Sequence, residues 1–122
     1  MTFAWSEYLT LAERLAADTS DEASLRSAIS RAYYAVFCTA RQLLPPGQQR
    51  PPPGRSSHEW VWAQYANPTN DEARRYVGAN GVNLKRNRQK ADYEARIARL
   101  GDVVTESIAT AQELLTALDA LE

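Results

Sequence analysis

The chain has 122 residues, enough for one hydrophobic core and too few for two. A hydrophobic share of 44% argues against wholesale disorder. A formal net charge of -1 excludes a global field that would drive the protein onto nucleic acid or an anionic membrane, so any such contact falls to a local patch.

The opening residues Thr2 to Glu7 show no basic segment followed by an apolar one, so no signal peptide is expected. The first helical stripe is Tyr8, Leu11, Ala12 and Leu15, at spacings of three and four, with Trp5 and Leu9 beside it. It ends around Asp18-Thr19-Ser20. Ser20 is expected to cap the next helix, because Asp21 and Glu22 then place acids in its positive first turn.

The second helix is predicted over about 21–44. Leu25, Ala28, Ile29, Ala32, Val36, Ala40 and Leu43 mark one face, flanked by Tyr33 and Phe37. Cys38, the single cysteine, lies in this apolar stretch and reads as a small buried hydrophobe. Its solitude excludes an internal disulfide framework and suits a reducing compartment. Pro45-Pro46-Gly47 stops the helix, since proline cannot continue the hydrogen-bond ladder. Residues 45–56 hold five of the six prolines and are expected to form a stiff surface loop.

Ser57 is expected to cap a short helix carrying Trp60, Val61, Trp62 and Tyr65, closed by Asn67-Pro68. Asn70-Asp71-Glu72 opens another, which carries Tyr76, Val77, Val82 and Leu84. Gly78 and Gly81 should weaken it, and a bend or break is expected there. The last helix is the clearest: Leu100, Val103, Val104, Ile108, Ala111, Leu114, Leu115, Leu118 and Leu121 step by three and four. No strand-like alternation and no internal repeat appear. The expected fold is one all-α domain spanning residues 1–122, an up-and-down antiparallel bundle of four to five helices. No apolar run approaches the roughly 20 residues that span a bilayer. A cytoplasmic protein without membrane contact is expected.

Chemistry has few places to reside. One His and one Cys cannot build a zinc site from a single chain, no Glu-x-x-His pair of the di-iron kind is present, and Gly78-Ala79-Asn80-Gly81 is no phosphate loop. Neither a metal nor another cofactor is expected. The one dense basic cluster is Lys85-Arg86-Asn87-Arg88-Gln89-Lys90, followed at once by Ala91-Asp92-Tyr93. On a helix Arg88 and Asp92 are i,i+4 neighbours. The cluster reads either as a phosphate-holding face with Tyr93 as a stacking platform or hydroxyl nucleophile, or as a solvated face with an ordinary ion pair. His58 is the one side chain that titrates near neutral pH without help, and it reads either as a surface hydrogen-bonding group or as a proton-transfer group. Tyr33 and Tyr34 read first as packing.

Arg31-Ala32-Tyr33-Tyr34-Ala35-Val36-Phe37, followed by Ala40-Arg41-Gln42-Leu43-Leu44, resembles the second helix of HEPN-domain proteins. In small prokaryotic members of that superfamily a loop and a Ser-His step follow this helix, as Ser57-His58 do here. Further on, Arg88-Gln89-Lys90-Ala91-Asp92-Tyr93 is similar to the family's Arg-x-x-Ala-Asp-Tyr element, and residues 97–121 match its closing amphipathic helix. The resemblance follows the family's order and covers most of the chain.

The resemblance implies a helical bundle that commonly dimerises and that often acts as the toxin of a toxin–antitoxin or defence locus beside a minimal nucleotidyltransferase. Active relatives are metal-independent ribonucleases whose signature is an Arg, four to six residues, and a His. The RNA 2′-hydroxyl attacks the adjacent phosphate, His moves protons and Arg steadies the developing charge. In the paired systems a Tyr two residues past that His accepts a nucleotide. Here Ala91 stands two before Tyr93, with Arg86 in the Arg place, and neither Arg50 nor Arg55 precedes His58 at the required spacing.

Two expectations follow. One is a toxin-like ribonuclease acting on RNA, with chemistry drawn from Arg86, Arg88, Asp92, Tyr93 and His58 and phosphate held by Lys85, Arg86, Arg88, Lys90 and Arg31. The other is a non-catalytic module that binds a nucleotidyltransferase partner, with Tyr93 as nucleotide acceptor, or scaffolds an RNA complex. Both expect a homodimer. A helical bundle with no site is the remaining alternative.

Overall fold

Asp21 ends the first turn region of the chain and starts its central helix: its carboxylate accepts from the Ala23 N–H at 3.2 Å and from the Ser24 hydroxyl at 2.7 Å. The computed structural model describes residues 2–67 and 71–122, and these are all-helical. Among the described residues there are five α-helices, α1 (Glu7–Ala16), α2 (Glu22–Leu43), α3 (Ser57–Ala66), α4 (Glu72–Tyr93) and α5 (Leu100–Leu121). The described residues contain no strand, and no helix is long and apolar enough to cross a membrane.

The caps refine the expected starts. Ser20 does not cap α2; it folds back on Asp18, whose carboxylate accepts both its N–H and its hydroxyl. Asp21 takes the cap one position later. Ser56, not Ser57, caps α3 by accepting from the Glu59 N–H. Asp71 caps α4 through the N–H groups of Ala73 and Arg74. Pro68 and Asn70, expected at these two helix ends, lie outside the described residues.

α2 is the core of the bundle and packs against α1, α4 and α5. Leu25, Ala28, Ile29, Ala32, Tyr33, Ala35, Val36, Phe37, Cys38 and Ala40 are all buried, so its middle has scarcely a polar side. Its alanines let neighbouring helices approach closely. α5 buries Val104, Ala111, Leu114 and Leu118 along the predicted stripe. It also buries Ser107, whose hydroxyl accepts from the Asn87 amide of α4 at 3.1 Å.

α4 runs unbroken through Gly78 and Gly81, so the expected break is absent. The glycines instead admit α3. A Cβ at Gly81 would collide with the Trp62 ring, and one at Gly78 would meet the Ala66 Cβ and backbone N at 3.0 Å. The Arg74 guanidinium fastens the same contact, lying over the Tyr65 ring and donating to the Gln64 carbonyl at 3.3 Å.

At the far end of α4 the Arg26 guanidinium of α2 donates to the carbonyls of Ala91 (3.0 Å), Glu94 (2.6 Å) and Ala95 (3.2 Å). It satisfies acceptors that the end of a helix leaves without a ladder partner. The proline-rich connection 45–56 includes a short 3-10 turn at Pro46–Gln48. The Gln49 amide donates to the carbonyls of Gln42 and Leu44, closing the end of α2.

Candidate functional site

Three helices contribute one face each to a cluster around His58. On α2, Tyr33, Phe37 and Arg41 recur at i,i+4 and share a side. On α3, His58 and Trp62 do the same, and on α4, Lys85, Arg88 and Asp92 follow at three and four. The Trp62–Gly81 contact sets α3 against α4 and so fixes the height at which His58 meets α2.

The imidazole stacks on Phe37 at 4.3 Å with 20° between the planes. Its Nδ1 lies 2.6 Å from the Tyr33 hydroxyl, which accepts from the buried Trp62 Nε1–H at 3.1 Å. Tyr33 and Trp62 are fully enclosed, at 0% and 1% exposure, while His58 is half-buried. With the proton on Nδ1 the Tyr33 oxygen accepts it and Nε2 carries a bare lone pair; with the proton on Nε2 the Tyr33 hydroxyl donates to Nδ1. Nε2 has no hydrogen-bond partner among the described residues.

Positive charge gathers on this ring. Burial pushes the His58 imidazole below its ordinary value, and the Arg88, Lys85 and Arg41 cations push it the same way. His58 is therefore neutral at pH 7. Burial holds Tyr33 far above the usual phenol range against the opposing pulls of Trp62 and Arg88, so it remains a proton-bearing hydroxyl. Arg88 is largely shielded and bonded to Asp92 at 3.0 Å; Lys85 lies 3.9 Å from Glu59. Arg31 and Arg41, both half-buried, have no carboxylate partner among the described residues and rest on aromatic rings. The cluster is left with uncompensated positive charge beside a neutral base, which suits a phosphodiester.

Of the residues singled out in the sequence, His58, Lys85, Arg88 and Asp92 come together, and Arg31 joins them through Tyr34. The Tyr34 ring centroid is 5.0 Å from the Arg31 guanidinium and 5.3 Å from that of Arg88. Tyr93 stands at the rim, 76% exposed, with its ring 5.9 Å from Arg88. Arg86 and Lys90 do not take part. Two residues either side of Arg88, they lie on nearly the opposite side of α4; Arg86 is exposed and donates to Asn83 at 3.4 Å. Ala91 is buried at 3% exposure beneath Arg26, in the core.

The sequence reading missed Phe37, Arg41 and Trp62 as parts of the site. The i,i+4 run Tyr33, Phe37, Arg41 is the signal for the first two, since it puts a guanidinium on the same side of α2 as two aromatic rings, and the i,i+4 pair His58, Trp62 is the signal for the third. Among the described residues no group of three His, Cys, Asp or Glu side chains is placed to hold a metal ion. Two surface grooves lie apart from His58: one of about 670 Å³ between the α1–α2 turn and α5, and one of about 450 Å³ by the N-terminal segment and the end of α5. Compared with family models, with curated proteins and with solved structures, the chain matches none.

Proposed function

We propose that this chain is a HEPN-like, up-and-down bundle that cleaves RNA without a metal at the His58–Arg88 centre, as the toxin-like component of a toxin–antitoxin or defence system. The observation that carries the reading is a neutral, oriented imidazole ringed by Arg88, Lys85 and Arg41. His58 takes the part of the histidine that Ala91 cannot supply, and Arg88, rather than Arg86, is the arginine beside it.

The chemistry follows from those groups. His58 Nε2 accepts the proton of a ribose 2′-hydroxyl as its oxygen bonds to the adjacent phosphorus. Arg88 and Lys85 hold the phosphate oxygens while charge builds on them. The P–O5′ bond breaks, and the departing oxygen takes the proton from the imidazolium. The products are a 2′,3′-cyclic phosphate and a 5′-hydroxyl end. Throughout the cycle the Tyr33 hydroxyl accepts from Nδ1–H and keeps the ring in place.

Incubating purified protein with total tRNA and mRNA under EDTA tests the reading. Wild type yields fragments with cyclic phosphate ends, His58→Ala and Arg88→Ala yield none, and Arg86→Ala cleaves as wild type does. Intact RNA beside an active control ends the proposal, as does cleavage that survives His58→Ala.

Tyr93 favours a second reading, a module that binds a nucleotidyltransferase and accepts a nucleotide. Its ring is exposed next to a guanidinium suited to an incoming phosphate. Intact-mass measurement after co-expression with a minimal nucleotidyltransferase would show the adduct, and Tyr93→Phe would abolish it. Both readings place the protein in the cytoplasm as a homodimer, which light scattering tests.

A further inference from the structure

Guanidinium groups and aromatic rings alternate along the surface that leads away from His58. Tyr93 lies 5.9 Å from Arg88, Arg88 5.3 Å from Tyr34, Tyr34 5.0 Å from Arg31, and Arg31 4.8 Å from Tyr8. Beyond Tyr8 the rings continue: Phe3 is 5.3 Å from it and 45% exposed. The path therefore crosses from α4 over α2 to the segment before α1. Because both cations flank the one Tyr34 ring at 5.0 and 5.3 Å, their charges stand no further apart than about 10 Å. That suits consecutive phosphates of an extended strand.

We infer that this Tyr93–Arg88–Tyr34–Arg31–Phe3 path is a track for single-stranded RNA, with Arg88 at the scissile phosphate, Arg31 at a neighbouring phosphate and Tyr93 and Phe3 as base-stacking platforms at its two ends. Alternating cations and ring faces give binding that tolerates any base and needs bases free to unstack. Arg31 has no ion-pair partner among the described residues, so its charge is available to the strand. A duplex hides its ring faces and cannot use Phe3 or Tyr93. This inference rests on the proposed cleavage site and adds a direction and a second phosphate subsite to it.

Fluorescence anisotropy with 2′-O-methyl oligonucleotides tests it, since these carry no nucleophile and report binding alone. Wild type should bind an eight-nucleotide strand at least about tenfold more tightly than a two-nucleotide one, and more tightly than the matching duplex. Arg31→Gln should remove most of the gain with length and lower the salt slope by about 0.7. Phe3→Ala, at an exposed position away from the core, should weaken the longer strand and leave the shorter unchanged. Should Arg31→Gln fail to fold, Phe3→Ala carries the same comparison. Length-independent binding, duplex binding as tight as single-strand binding, or folded variants indistinguishable from wild type would overturn the track. Length-dependent binding with no cleavage of the unmodified strand would sink the cleavage reading and leave the track standing. Equal cleavage of two- and eight-nucleotide RNA would do the reverse.

Discussion

The Trp62 ring fills the space that a side chain at Gly81 would need, so α3 and α4 meet face to backbone at that point. Gly81→Ala gains about 1 kcal/mol of helix propensity and loses more to overpacking, with a net destabilisation of about 2 kcal/mol. Gly101 in α5 is the control, because nothing lies within 4 Å of a Cβ there. Gly101→Ala should stabilise by up to about 1 kcal/mol. Urea unfolding of the two variants should move in opposite directions.

Arg26 ties α2 to the end of α4 through three carbonyls, and its side chain is only 18% exposed. Arg26→Ala leaves the part-buried Ala91 carbonyl without its partner and gives the other two to water, and should cost about 1–2 kcal/mol. Arg26→Lys should recover only part of it, because an ammonium lacks the planar fork that reaches several acceptors at once. Denaturant midpoints decide the order: wild type, then Lys, then Ala.

His58 titrates below its unfolded value, so the unfolded chain protonates first as the pH falls. In that window the unfolded state binds more protons, and stability rises with pH. The protein should lose stability as the pH drops below about 6.5, the ordinary histidine value, and gain none from this group above it. RNA cleavage, if it uses the neutral ring, should reach its plateau at a pH lower than a solvent-exposed histidine would allow. Arg88→Gln removes a cation that depresses the imidazole, so the His58 titration, followed by NMR of this lone ring, should move upward.

Burial pushes the Cys38 thiol up, and the side chain is 8% exposed. Reaction with a thiol reagent at neutral pH should be slow in the native protein and become fast in denaturant. Rapid native labelling would show that α2 is less enclosed than its packing implies.

Much of the bundle was readable in advance because its signals are local. The Pro45-Pro46-Gly47 stop and the acids after Ser20 put α2 within one residue of its observed ends, and the α5 stripe is visible as written. The glycines misled for a physical reason: propensity penalises Gly78 and Gly81, but only tertiary packing reveals that Trp62 and Ala66 need their missing side chains. The site divides in the same way. Arg88 and Asp92 are helix neighbours and could be paired by counting. The meeting of His58 with Tyr33 joins positions separated by a proline-rich loop, and Arg26 reaches carbonyls 65 to 69 residues away, so neither follows from spacing.

α3 holds its position by its own side chains. Trp62 bonds Tyr33, the Tyr65 hydroxyl donates to the Ala40 carbonyl at 2.6 Å, and Trp60 donates to the Gln48 carbonyl at 2.7 Å. The tether before it adds two contacts, both to Trp60: the Gln48 carbonyl and the Arg55 guanidinium 5.1 Å from the ring. Inserting glycine and serine between Arg50 and Pro51, clear of both contacts, raises mainly the entropy of closing a loop, which grows slowly with its length. His58 would keep its register on Phe37, so the stretch that looks most rigid in the sequence is open to insertion or tagging at its middle.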